Sequence, residues 1–168
     1  FLKKDYQSKT HFVIFKKTKE RKISMKYSNM QYTRPDIDKV GSEMKNCIEK
    51  FKNANSFKEA DDIMTSLNEI RNEFDSMKII AFINYSNDTN NNEFTEEQDY
   101  FDNNTPLFND YLLEYYKVLI DSKYRNELAD KYGHHLFEIA EISVKSFSHE
   151  IIDDTQKENH LASEYVKL

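Results

Sequence analysis

Glycine and proline are nearly missing from this chain, with two of each in 168 residues, and tryptophan is absent. With only Gly41 and Gly133 available, no glycine-rich phosphate loop can form, which excludes the common nucleotide-binding folds. So few turn formers also disfavour a strand-and-turn architecture and leave long helices uninterrupted. The single cysteine, Cys47, has no partner for an intramolecular disulfide, a usage that fits a reducing cytoplasm. Long apolar runs are absent too. The strongest, Ile79-Ile80-Ala81-Phe82-Ile83, is far too short to span a bilayer. The N-terminal lysines are followed by only a four-residue apolar patch, Phe12–Phe15, so no secretory signal is legible.

Charge is abundant and unevenly placed. Charged residues make up 32% of the chain and the net charge is −6. Residues 1–24 hold eight Lys/Arg against Asp5 and Glu20, a balance of +6, which leaves −12 for residues 25–168. So acidic a body argues against nucleic-acid binding, which needs a basic footprint. The change of character at Met25 divides the chain into a basic N-terminal extension, residues 1–24, and a helical domain, residues 25–168. Met25 is the expected natural start, and residues 1–24 read as upstream or cloning-derived sequence.

Apolar periodicity supplies the elements. After Arg34-Pro35-Asp36, residues Ile37, Val40, Met44, Ile48 and Phe51 recur every three or four positions and predict a first helix. Ser56-Phe-Lys-Glu59 has the form of a capping box and opens a second stripe of more than 25 residues, ending near the Asn-rich stretch 84–92. Thr95-Glu-Glu-Gln98 predicts the start of a third helix, which Pro106 must kink or split. A fourth helix is expected from Ser122 to Leu128, stopped by Gly133, and a fifth from His134 to Lys145. Ser148 is expected to cap a sixth that runs to the end. The expectation is an all-α fold of five or six mostly antiparallel helices.

Several stretches imitate chemical sites. Ser148–Asp154 reads SHEIIDD, most of the HExxH zinc signature, but Asp153 stands where the second histidine is needed. A helix start rich in acids explains His149, Glu150, Asp153 and Asp154 better. Asp88-Thr-Asn90-Asn-Asn92 opens like a calcium loop. It then fails at Glu93, where glycine is required, and at Asp99, where a bidentate glutamate is required. His134 and His135 with Glu138, and His160 with Glu164, place imidazole and carboxylate one turn apart, the spacing of ordinary surface pairs. Phe101, Phe108, Tyr111, Tyr115 and Tyr116 make the third helix aromatic, which points to core before any peptide groove. Cys47, beside Ile48, reads as a packed thiol. No catalytic, metal or cofactor-binding residue is therefore assigned.

From residue 26 onward the blocks Tyr32–Val40 (YTRPDIDKV), Glu49–Ala60 (EKFKNANSFKEA) and Leu67–Met77 (LNEIRNEFDSM) fall in a familiar order. Asn87–Asp102 (NDTNNNEFTEEQDYFD), Leu119–Gly133 (LIDSKYRNELADKYG) and Ile152–Leu168 (IDDTQKENHLASEYVKL) continue it. Together they resemble the N-terminal part of the oligoendopeptidase F family, relatives of thimet oligopeptidase. The resemblance implies a helical lobe of a larger two-lobed, cytoplasmic zinc endopeptidase that cleaves short peptides. The family's zinc is held by HExxH histidines and a downstream glutamate in the C-terminal half, so this chain alone is expected to be inactive and to end before the site. Its expected partners are oligopeptide substrates and the C-terminal catalytic part. The alternative reading is a self-standing helical module that grips a peptide or protein without catalysis.

Overall fold

A computed structural model describes residues 31–167. Six helices account for nearly all of them, and no strand occurs among the described residues. They are α1 (Ile37–Lys52), α2 (Phe57–Asn87), α3 (Asn92–Ile120), α4 (Arg125–Tyr132), α5 (His135–Ser146) and α6 (Ile152–Val166). A short 3-10 turn, His149–Ile151, precedes α6.

Side-chain contacts fix the directions. Arg34, just before α1, bonds Glu97 early in α3, and Phe51 near the end of α1 meets Tyr115 late in α3, so α1 and α3 run parallel. Between them α2 runs the other way: Asp61 at its start reaches Lys131, while Tyr85 at its end reaches Ser163. Gln156 bonds Asn103 and Ser163 bonds Asp102, so α6 lies antiparallel along the first half of α3. Leu112 and Tyr116 of α3 share a groove with Ser143, Ser146 and Phe147, which places the end of α5 beside the second half. Thus α5 and α6 follow one another along a single 29-residue helix.

The predicted stripes are the core. Met44, Ile48 and Phe51 of α1, Met64, Leu67 and Phe74 of α2, and Phe101, Phe108 and Leu119 of α3 are all buried. Phe74 stacks on Phe108 with ring centroids 4.1 Å apart and meets Phe101 edge-on at 5.4 Å. Gly41 lets α1 close on α3, since a Cβ there would lie 2.5 Å from the Tyr111 ring. Gly133 has φ +92°, a conformation that favours glycine, and ends α4 with its N–H on the Ala129 carbonyl at 2.8 Å.

Helix starts differ from the sequence expectation in three places, each for a local reason. The third helix starts at Asn92, because the Asn91 side chain accepts from the Glu93 and Phe94 N–H groups and caps earlier than Thr95 could. Thr95 instead bonds back to the Asn91 carbonyl inside the first turn. The fourth helix starts at Arg125, since Ser122 is spent in a turn that receives the N–H groups of Tyr124 and Arg125. Ser148 makes no side-chain cap, and three residues of 3-10 turn come before α6 begins at Ile152. Ser56 does cap α2, but Glu59 reaches back to the Asn55 N–H at 2.8 Å and not to that of Ser56.

Pro106 does not split α3, which continues from Asn92 to Ile120 with the proline fully buried.

Candidate functional site

Proline at position 106 donates no N–H, so the Asp102 carbonyl four residues earlier loses its helical partner. The Asn159 side-chain amide of α6 fills that vacancy at 3.1 Å, and Gln156 donates to the next carbonyl, Asn103, at 2.7 Å. Below them the Asp102 carboxylate is 5% exposed. It accepts from Gln98 Nε2 at 2.8 Å and from Ser163 Oγ at 2.6 Å. Burial pushes its pKa above the ordinary carboxylate value, and the two hydrogen bonds only partly oppose this. Tyr85 of α2 completes the seam by donating to the Ser163 carbonyl at 2.6 Å.

His160 stands over the same carboxylate. The Asn103 amide donates from Nδ2 to the Asp99 carbonyl at 2.8 Å, so its Oδ1 is the atom facing the imidazole. His160 Nε2, 3.1 Å from that oxygen, must then carry a hydrogen and donate. The other ring nitrogen lies 3.8 Å from Asp99 and 3.7 Å from Asp102. Asp99, Asp102 and His160 form the one group of metal-capable side chains drawn together among the described residues. Sequence reasoning paired His160 with Glu164 on its own helix and missed Asp99, Asp102, Gln98 and Ser163. Pairing across helices leaves no trace in spacing along one chain.

The other stretches that imitate sites in the sequence lie apart from this seam. His149 sits in the 3-10 turn and its Nδ1 lies 3.1 Å from Asp110 of α3. Because residues 149–151 are not α-helical, Asp153 does not stand one α-turn above it, and zinc has no fit at this stretch. Asp88 forms a local turn to the Asn90 N–H at 3.2 Å, consistent with a connecting loop. Among the paired histidines, His135 and not His134 meets Glu138, at 3.0 Å and fully on the surface. The Cys47 thiol is half-buried against the core and burial raises its pKa, the opposite of an activated nucleophile. Phe101, Phe108 and Tyr115 are core, with Tyr111 and Tyr116 packed against them. The Tyr115 hydroxyl is buried with no hydrogen-bond partner among the described residues.

Two clamps hold the opposite flank. Arg34 makes a forked contact to Glu97, with Nε at 2.9 Å and Nη2 at 2.8 Å, and Tyr32 donates to the same carboxylate. Burial raises the Glu97 pKa, but the bonds from Arg34 and Tyr32 outweigh it and hold the group below its ordinary value. Asp61 behaves alike: burial is opposed by Lys131 and Tyr132, and the carboxyl is held low.

The family model of the peptidase M3 N-terminal domain matches residues 27–147. The chain belongs to the M3 peptidase family. Three solved structures share its fold. One is described as an oligoendopeptidase F from Bacillus anthracis strain Ames, at 39% identity and TM-score 0.82, over 84% of this chain and 26% of that one. Another is PZ peptidase A solved with an inhibitor, at 36% identity and TM-score 0.81, over 83% and 25%. A further protein described as an oligoendopeptidase F gives 35% and 0.81, over 84% and 25%. No curated protein matches the chain. This M3 chain therefore spans about a quarter of the length of the solved structures it resembles.

Proposed function

We propose that the chain is the N-terminal helical part of a zinc-dependent endopeptidase that hydrolyses short peptides in the cytoplasm. In this reading it walls part of the substrate channel and contributes no catalytic group. The observation that supports it is the 39% identity to an oligoendopeptidase F of which the chain matches only 26%. The zinc, its HExxH ligands and the water-activating glutamate belong to the remainder, where the metal would supply a nucleophile from bound water. What this chain's own residues do is structural: they set the rigid position of α3 and the helices lying on it.

A chimera tests the reading. Residues 31–167 replace the matching segment of the Bacillus anthracis protein, and hydrolysis of a quenched fluorescent oligopeptide is followed with zinc. The expected kcat/KM stays within about tenfold of the parent, a barrier change of about 1.4 kcal/mol. The 168-residue chain alone is expected to cleave nothing. Zinc-dependent cleavage by that chain, or a folded chimera with no cleavage, would count against the reading.

A further inference from the structure

Among the described residues, large apolar side chains are exposed in two regions. Ile79 and Phe82 lie late in α2, and the other six lie between Ile139 and Val166. None lies on α1 or α4, although α1 carries a full apolar stripe. On α5, Ile139 and Ile142 are one turn apart and are 41% and 63% exposed. On α6, Leu161 and Tyr165 are one turn apart and are 66% and 76% exposed. The opposite sides of these helices are already engaged. Phe137 and Ala140 of α5 are buried, and Gln156, Asn159 and Ser163 of α6 are hydrogen-bonded to α3. Both helices therefore carry two working faces.

We infer that the outward faces of α5 and α6, centred on Ile142, Leu161 and Tyr165, form the surface on which the remaining three-quarters of an M3 peptidase chain docks. This rests on the peptidase reading and adds to it which face meets the catalytic part. Three observations choose that occupant. Chains of the matched fold continue for about three times the length present here. The apolar exposure is confined to particular helices, as at a buried boundary, where a solvated surface would scatter it. Both helices are anchored from behind along one rigid α3, so they present a fixed surface. Glu158, one turn before Leu161, and Glu164, beside Tyr165, rim the α6 patch with acid. The complementary surface is apolar with a basic edge.

The test compares solvent labelling in two proteins. Hydroxyl radicals are applied to the 168-residue chain and to the chimera, and oxidation is read by mass spectrometry at Ile142, Leu161 and Tyr165. The expected result is strong labelling in the chain and its loss in the chimera, with Lys45 and Tyr111 on the α1–α3 side unchanged. Equal labelling in both proteins overturns the inference. So does loss of labelling in the chain alone through dimerisation, because the occupant is then a second copy. Should the chimera fail to fold, the chain is titrated calorimetrically with the separate C-terminal three-quarters of the Bacillus anthracis protein. Binding that Ile142→Asp with Leu161→Asp abolishes supports the surface, and no binding, or binding indifferent to that pair, removes it. A chimera that protects these residues yet cleaves no peptide leaves the surface standing and removes the peptidase reading.

Discussion

On one flank of α3, α1 and α2 bury Met44, Ile48, Phe51, Met64, Leu67 and Phe74 against it. On the other flank α6 buries only Ile152 and is held by amide and hydroxyl bonds to carbonyls and to Asp102. The first attachment is chiefly area-driven, with charged clamps only at its edges; the second is polar and directional throughout. Each net hydrogen bond of the second kind contributes only about 1 kcal/mol, so that attachment depends on several acting together. The contrast teaches that one helix can serve as hydrophobic core on one side and as a hydrogen-bonding dock on the other.

Four single variants and one double variant would break or sharpen this contrast. The largest effect is expected from Phe74→Ala, which empties the aromatic stack on the apolar flank and costs about 3–5 kcal/mol of global stability in urea unfolding. Next, Asn159→Ala strands the Asp102 carbonyl and should cost about 1–3 kcal/mol, seen as faster amide exchange confined to α6. Adding Pro106→Ala restores an N–H to that carbonyl, so the loss should shrink in the double variant, and an undiminished loss would refute the pairing. Tyr115→Phe is expected to gain about 1 kcal/mol, because it removes a buried hydroxyl that has no partner among the described residues. Smallest is Arg34→Ala, expected to cost below about 1 kcal/mol and to fade in high salt, since the arginine is half-exposed.

Acid should separate the two flanks. Asp102 has a raised pKa in the fold, so the folded state holds its proton more tightly than the unfolded chain does. Its contribution is fully present below the unfolded carboxylate value and is lost as pH rises through the raised one. Glu97 and Asp61 have lowered pKa values and act in the opposite sense, stabilising above the unfolded value and weakening as pH falls through the folded one. Exchange protection of α6 measured across the carboxylate range should therefore gain from acid relative to the Arg34–Glu97 clamp. In Asp102→Asn that difference should flatten, and an unchanged profile would show that Asp102 is not its source.

Helix number and the core residues were legible because periodicity reports burial directly: Met44, Ile48 and Phe51 needed only their spacing. Starts were less legible, because several polar residues compete to cap. Asn91 captured two N–H groups where Thr95 was expected to act, and Ser122 went to a turn. Pro106 was legible as a disturbance, but its resolution was not, since the compensating amide comes from Asn159, a residue 53 positions later in the chain. The seam around Asp102 was invisible for the same reason. The family blocks, by contrast, depend on order and not on contact, and they pointed to the M3 match before any coordinate.

The length of α3 has a consequence for how this chain can change. Its 29 residues span about 43 Å at 1.5 Å per residue, long enough to carry α5 and α6 in series. One residue inserted at its middle would rotate everything beyond by about 100°. Phe108 and Tyr115 would then leave the aromatic core while Phe101 stayed, so no half of the helix could keep all of its partners. Drift in chain length is therefore confined to the joints at 53–56, 88–91, 121–124, 133–134 and 147–151. Between those joints the spine admits exchange of residues and forbids insertion.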